Sequence, residues 1–224
     1  HLEIEEEIQL YDIKQQLANP SLEMIDRLGG DVVQLNRLGP TTAMPFLRLD
    51  KWKKGKMTDG TDCLVPEDYD IVFQDDGIIE VIHEGEVFAR RTAFSPYFDI
   101  CAVPLQNAET KSDLDAYVFP DPWTEREEEF LKSEIDRLYH GTDKALFAGL
   151  PLMNCSFLEA NAVLFGYETF MMNLVLKRDL MEHWLDRMLE HNLKILDSFL
   201  KVVGPYITAI QMNDDFGAQE ALQV

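Results

Sequence analysis

The chain has 224 residues, of which 46% are hydrophobic and 27% charged, a balance typical of folded globular proteins. Its 41 acidic residues outnumber its 20 lysines and arginines, which gives a net charge of −21. Such a chain repels phosphate backbones, and no window of about 18 uncharged apolar residues is present, so we expect neither nucleic-acid binding nor a membrane span. We recognise no signal-peptide pattern, and the three cysteines have no metal-binding spacing, so we expect reduced thiols in a cytoplasmic protein.

The first elements predicted along the chain are helical. Residues 2–28 show a helix-like pattern that breaks once, and Ser21 is the predicted N-cap of its second piece. A short buried strand is expected at residues 31–35, and it ends at Asn36 and Arg37. A helix followed by glycine, a strand and a polar strand end is the pattern of an α/β unit.

The period of the apolar residues changes in the next part of the chain. Residues 40–65 show no regular period, so we expect a solvated loop. This loop carries a cluster of four lysines, Lys51, Lys53, Lys54 and Lys56. From about residue 66 to residue 103, apolar runs alternate with turn signals such as Asp76-Gly77, which predicts an antiparallel β-meander. Tyr97 lies at the exit of this meander, either in a lid over an active site or as a surface aromatic of a packed hairpin.

The second half of the chain alternates helices with short strands. A helix is expected from Thr124, its N-cap, to residue 140, with acidic residues in its first turns. Buried strands are predicted at residues 144–150 and 206–212, and mostly helical segments at residues 151–176 and 179–203.

Acidic and carboxamide side chains at two strand ends are the candidates for chemistry. Glu159 follows a strand within an apolar stretch, where it either faces water or is held with a raised pKa for a purpose. The last strand ends in a polar group formed by Gln211, Asn213, Asp214, Asp215 and Gln219. One aspartate is enough to cap a helix, so this group favours an active site at the strand end.

The register of the last strand predicts different roles for its two aspartates. Side chains alternate along a strand, so neighbouring residues point to opposite faces. If Ile210 packs outward against helices, then Gln211, Asn213 and Asp215 face the pocket. Asp214 would then point to the other side and cap the helix that follows it, or bond the first amides of that helix.

Several segments, taken in their joint order and spacing, resemble the uroporphyrinogen decarboxylase (URO-D) superfamily. They are LYDI at 10–13, RLGGDV at 27–32, FPDP at 119–122, GYETFM at 166–171 and IQMNDDFGAQ at 210–219. The resemblance implies a (β/α)8 TIM barrel with its site at the carboxyl ends of the strands. The expected fold is therefore α/β: a partial barrel that forms one domain over residues 1–224, with the meander inserted, in a piece of a longer protein.

The resemblance implies one of two activities. The form of the last segment is closer to the corrinoid-dependent methyltransferase-like branch, which moves a methyl group between a methylated small molecule, a corrinoid and an acceptor. Zinc in that branch is held by a His-x-Cys pair and a later cysteine, and this sequence contains no His-x-Cys, so zinc ligands would lie outside this chain. The alternative is cofactor-free decarboxylation of a tetrapyrrole or a smaller carboxylic acid, although the arginine-rich motif of the decarboxylases has no counterpart here.

The expected roles of the candidate residues follow from their positions. Asp215, Asp214 and Glu159 are the predicted catalytic residues. The residues predicted to bind a small-molecule substrate are Asn36, Arg37, Tyr97, Gln211, Asn213 and Gln219. A corrinoid protein is the expected partner of a methyltransferase. A third alternative is a non-catalytic barrel module, whose open strand edges would pair in a homodimer.

Overall fold

The computed structural model describes residues 7–39, 44–120, 123–149, 156–212, 214–217 and 219–222. The strands are Gln9–Asp12 (β1), Leu17–Asn19 (β2), Val32–Leu35 (β3), Trp52–Lys56 (β4), Asp62–Pro66 (β5), Asp70–Phe73 (β6), Ile79–His83 (β7), Glu86–Arg91 (β8), Asp99–Ile100 (β9), Ala145–Gly149 (β10) and Ile207–Gln211 (β11). The helices are Leu22–Arg27 (α1), Lys111–Asp115 (α2), Glu125–Ile135 (α3), Leu158–Phe165 (α4), Tyr167–Leu176 (α5) and Arg178–Val203 (α6). A π-helical turn, Asp136–His140, continues α3.

The strands form three small sheets. The mixed sheet has the order β2-β1-β5-β4, in which β1 and β5 are parallel and the other pairs antiparallel. The parallel sheet has the order β11-β10-β3. The meander sheet has the order β6-β7-β8-β9 and is antiparallel throughout.

The expected (β/α)8 barrel is wrong, because within the described ranges none of the three sheets closes. Nine of the eleven strands end by Ile100, and α1 is the one helix among them in the part of the chain described. Parallel neighbours need a long crossover, usually a helix, whereas strands joined by short turns pair antiparallel. The first half of the chain therefore forms hairpins, and only β3, β10 and β11 form a wholly parallel sheet. The fold is mixed α/β.

The helix predicted over residues 2–28 is also wrong for most of its described part. Residues 9–19 form the hairpin of β1 and β2, in which Leu10 and Asp12 are buried in alternation with their neighbours. Its turn places Gln16 at a φ of 58°. The predicted N-cap is confirmed: the Ser21 hydroxyl accepts the Met24 N–H at 3.1 Å at the start of α1.

Short-range signals in the middle of the chain gave both right and wrong predictions. The hairpin predicted at Asp76-Gly77 is present, since Phe73 pairs with Ile79 and Gly77 has a φ of +78°. The loop predicted over residues 40–65 is wrong, because β4 and most of β5 lie there and pair antiparallel. The lysines of β4 hide this strand from a search for apolar alternation.

The parallel sheet is covered on one face by α3, its π-helical turn and α6. Val33, Leu35, Leu146 and Ala148 pack there with Phe199 and other apolar side chains. Cross-strand neighbours share a face, so the opposite face carries the remaining residues of each strand. The other cores lie between the mixed and meander sheets and among α2, α4, α5 and α6. None of the described helices combines the length and the apolar character that a membrane crossing requires.

The last strand departs from its prediction in burial. β11 lies within the predicted residues 206–212, but Ile207 is half-buried and the four residues after it are exposed. A parallel strand is normally covered on both faces. The sequence of β11 is apolar enough to be buried on both faces, but the described residues leave most of this strand exposed.

Candidate functional site

The face of the parallel sheet opposite α3 and α6 carries polar side chains. Gln34 pairs with Phe147, which pairs with Ala209, and the next row joins Gly149 to Gln211. Because paired residues share a face, Gln34, Phe147 and Gln211 lie on this face, while Ile210 lies on the helix side beside the buried Ala148. The structure thus places Ile210 and Gln211 on the faces that the register of the strand predicted for them.

A group of polar side chains lies at the end of β3. The Gln34 amide donates to the Asn36 side-chain oxygen at 2.5 Å. Tyr11 lies near Gln34, and the pKa of its hydroxyl is raised by burial and by the charge of Asp12. These three side chains line a cleft of about 980 Å³ beside β3, to which Trp52 of the mixed sheet also contributes. The arrangement can orient a polar small molecule through hydroxyl and carboxamide groups.

Asp214 is predicted to cap the helix that follows it, but in the structure it caps a helix that precedes it in the chain. Its carboxylate accepts the N–H groups of Leu158 at 2.8 Å and Glu159 at 3.2 Å, at the start of α4. The residue at the N-cap position of α4, Phe157, makes no side-chain capping hydrogen bond. Asp214 also accepts the N–H of Asp215 at 3.1 Å. The carboxylate therefore stabilises unpaired amides at the positive end of the α4 dipole.

Within this site, Glu159 has a pKa that its surroundings raise. Partial burial of its carboxyl raises the pKa of Glu159 above its usual value, and the charges of Asp215 and Asp214 raise it further. The charge of Lys14 acts in the opposite direction. Part of the Glu159 side chain remains exposed, so water moderates these effects. A carboxyl beside other carboxylates that keeps its proton to higher pH is suited to general acid catalysis.

The turn between β1 and β2 brings the meander sheet into the same neighbourhood. The Lys14 carbonyl accepts the Phe98 N–H at 3.1 Å. Tyr97 precedes Phe98, is about half exposed and lies in the loop before β9. The Phe157 and Phe216 rings stack at 5.8 Å, beside the segments that carry Glu159 and Asp215.

Tyr11 and Lys14 were missed by sequence reasoning because their segment was assigned to a helix. In the structure the buried positions of this strand alternate at Leu10 and Asp12, and the charged Asp12 hides that alternation in the sequence.

The remaining predicted residues lie in different settings. Arg37 is buried, and its guanidinium forms two hydrogen bonds with Glu127 of α3, at 2.7 and 2.9 Å. A substrate contact by Arg37 would have to compete with this ion pair. Gln219 is exposed, beyond the end of β11. Asn213 lies outside the described residues.

Metal ligation and similarity to known proteins add no assignment to this site. Among the residues described, no three His, Cys, Asp or Glu side chains form a group that could hold a metal ion. No protein-family model, no curated protein and no solved structure matches the chain.

Proposed function

We propose that the chain belongs to an enzyme that transfers a methyl group between a methylated small molecule, a corrinoid and an acceptor. The observation that carries the proposal is the Glu159 carboxyl, with its raised pKa, beside Asp215 at the carboxyl end of the parallel sheet. The resemblance of five segments to the URO-D superfamily supplies the reaction type. Free thiols at Cys63 and Cys101 accord with the cytoplasmic location that we propose for it.

The chain's own residues would supply proton transfer and orientation. An oxygen or nitrogen atom that loses a methyl group becomes more basic and needs a proton, and Glu159 is the group that we propose donates it. Asp214 positions Glu159 by holding the first amides of α4. Gln34, Asn36 and Gln211 would orient the substrate by hydrogen bonds. The corrinoid enters as a co-substrate that accepts the methyl group.

Decarboxylation of a small carboxylic acid is the second candidate, and Lys14 favours it. The Lys14 ammonium lies close enough to Glu159 to act on its pKa, and it is half-buried. An ammonium in this position is suited to binding a substrate carboxylate. Loss of carbon dioxide leaves an electron pair on carbon, and Glu159 would donate the proton that replaces the lost group. This reaction requires no cofactor.

The two reactions are separated by their products. The full-length enzyme that contains this chain is incubated with cob(I)alamin and a panel of methylated amines and aryl methyl ethers, and the conversion of cob(I)alamin to methylcobalamin is followed by its absorbance. Release of carbon dioxide from a parallel panel of carboxylic acids, including uroporphyrinogen, reports the second reaction. We expect methylcobalamin to form and carbon dioxide to be absent.

A matched pair of variants tests the role of Glu159. Glu159 and Glu168 are each the second residue of a helix, α4 and α5 respectively, so both carboxylates lie near a helix N-terminus. We expect Glu159→Gln to lower the rate at least tenfold and Glu168→Gln to leave it unchanged. Equal rates for the two variants would remove Glu159 from the mechanism. Absence of both products with the unmodified full-length enzyme would instead support a non-catalytic module.

A further inference from the structure

One side of the parallel sheet combines a free strand edge with exposed apolar side chains. In the described residues β11 pairs with β10 along one edge, and its other edge has no strand partner. Ile210 is 39% exposed and Met212, which follows β11, is 52% exposed. An unpaired edge of this kind offers backbone N–H and C=O groups to another strand.

Helix α6, which packs on the parallel sheet, carries a line of leucines on one of its faces. Its members are Leu189, Leu193, Leu196 and Leu200, spaced by four, three and four residues, so they fall on one face of the helix. The first, second and fourth of them are 55%, 54% and 40% exposed.

The orientation of α6 places these leucines on the side of β11. The helix packs on the parallel sheet through Phe199 and Val203, and Ser198 and Val202 line the groove between α6 and α3. At 100° per residue, the leucine line lies on the face opposite this groove. It therefore points away from α3, past the free edge of β11. We call the leucine line and the free edge of β11 together the open side.

The electrostatics of the open side suit a second copy of this chain. β11 contains no charged residue, and the charges flanking the leucines neutralise one another, with Lys194 to Glu190 at 2.7 Å and Lys201 to Asp197 at 2.6 Å. The chain as a whole carries a net charge of −21, so most of its surface repels another copy. The acidic residues near the open side, Asp214 and Asp215, lie beyond the carboxyl end of β11, so a basic partner would find no net negative charge along the strand or the leucine line. An identical acidic chain meets the least repulsion there.

We propose that two copies associate through the open side around a two-fold axis. β11 pairs antiparallel with the partner's β11, so the two three-stranded sheets form one sheet of six strands. α6 packs antiparallel to the partner's α6 beside this junction. The four-three-four leucine spacing is the same in both directions along the helix, so Leu189 meets the partner's Leu200 and Leu193 meets the partner's Leu196. An isologous interface requires such self-complementarity.

The test is the mass of the particle in solution, measured by sedimentation and by light scattering after gel filtration. We expect the unmodified chain to be a dimer. Leu193→Glu places two carboxylates near the two-fold axis and should halve the mass. Leu176→Glu is the matched control: Leu176 is 69% exposed at the end of α5, away from the open side, and the dimer should persist.

Circular dichroism and a second substitution keep the test decisive. If Leu193→Glu loses helix content, the milder Leu189→Lys is measured in its place, since Leu189 is exposed and its substitution leaves the core intact. We expect it to weaken dimerisation at least tenfold. A monomeric unmodified chain at high concentration would overturn the proposal and leave the open side for another partner. A dimer that survives both leucine substitutions would also overturn it.

Discussion

The pKa of the Glu159 carboxyl is set by its burial and by the charges of three neighbouring residues. Burial and the charges of Asp215 and Asp214 favour the protonated form, while Lys14 favours the ionised form, and the pKa of Glu159 is raised on balance. A raised pKa means that the folded state holds this proton more tightly than the unfolded state does. The contribution of Glu159 to stability is therefore present at low pH and is lost as the pH rises through its raised folded pKa.

The first prediction is that the free energy of unfolding of the Glu159→Gln variant, relative to that of the unmodified protein, is higher at neutral pH than at acidic pH. Glutamine does not titrate, so the variant lacks the loss of stability that ionisation of Glu159 produces in the folded protein. Urea unfolding is measured for both proteins between roughly pH 4 and pH 7, across the range in which glutamate ionises. The variant's advantage should grow with pH. Glu168→Gln is the control, and a difference that shrinks with rising pH would contradict the assignment.

Asp214 and Asp215 are adjacent in the chain but differ in what their carboxylates hold. The second prediction is that Asp214→Ala lowers the free energy of unfolding by about 0.5–2 kcal/mol, the usual effect of a lost helix cap. Asp214 bonds two amides of α4, whereas Asp215 is exposed and its carboxylate makes no hydrogen bond among the contacts described. Asp215→Ala should therefore change stability little. Equal losses in urea unfolding would show that the capping bonds do not carry this difference.

Sequence reasoning at the residue scale found the kind of interaction but not its partner. An aspartate after a strand is a good cap, and Asp214 is one, yet it caps a helix that begins 56 residues earlier. Alternation placed Gln211 on the sheet face opposite the helices because period and register are local properties. The closeness of Lys14 to Glu159 depends on a turn between strands far from α4 in sequence, and no local pattern encodes it.

At the scale of elements, predictions held where the signal was contained in a few residues. Thr124 accepts the Glu127 N–H at the start of α3, and α6 begins one residue before its prediction. The barrel prediction required each strand to find a parallel neighbour far along the chain. That choice depends on long-range pairing, and the hairpins of the first half instead pair neighbouring segments. Local propensity can identify a strand without identifying its partner.

The buried ion pair of Arg37 and Glu127 joins the end of β3 to the first turn of α3. Glu127 also accepts the Leu38 N–H at 3.3 Å, and both charged side chains are almost fully buried. Burying two charges is costly, but removing one of them leaves the other without compensation. The pair thus fixes the polar end of the strand that carries Gln34 and continues to Asn36.

The third prediction concerns this connection between elements. Glu127→Gln should lower the free energy of unfolding by about 3–5 kcal/mol, because the buried Arg37 guanidinium would lose the negative charge that its two hydrogen bonds now reach. An exposed pair, Arg178 and Glu182 of α6, provides the comparison. Arg178→Ala should cost less than about 1 kcal/mol, since water and salt screen that pair. Similar losses for the two variants in urea unfolding would mean that the Arg37 site is hydrated.

At the scale of the whole molecule, one sign of charge dominates. Among the described residues, five ion pairs join residues four apart on the same helix, and all are largely exposed. Each such pair contributes only about 0.3–0.5 kcal/mol, and screening removes part of that. The excess of 21 acidic residues acts on every compact arrangement of the chain, because folding brings like charges closer together. Self-repulsion is therefore the larger of the two effects.

The fourth prediction is that added sodium chloride stabilises the folded protein. The Debye length falls from about 30 Å at 0.01 M to about 10 Å at 0.1 M, so distant acidic groups stop repelling one another, while contacts at 2.6–2.8 Å are screened less. The thermal midpoint at neutral pH should rise over this range. The rise should be smaller near pH 4.4, where the acidic excess is largely neutralised. A midpoint that falls with salt at neutral pH would mean that the ion pairs outweigh the repulsion among the acidic residues.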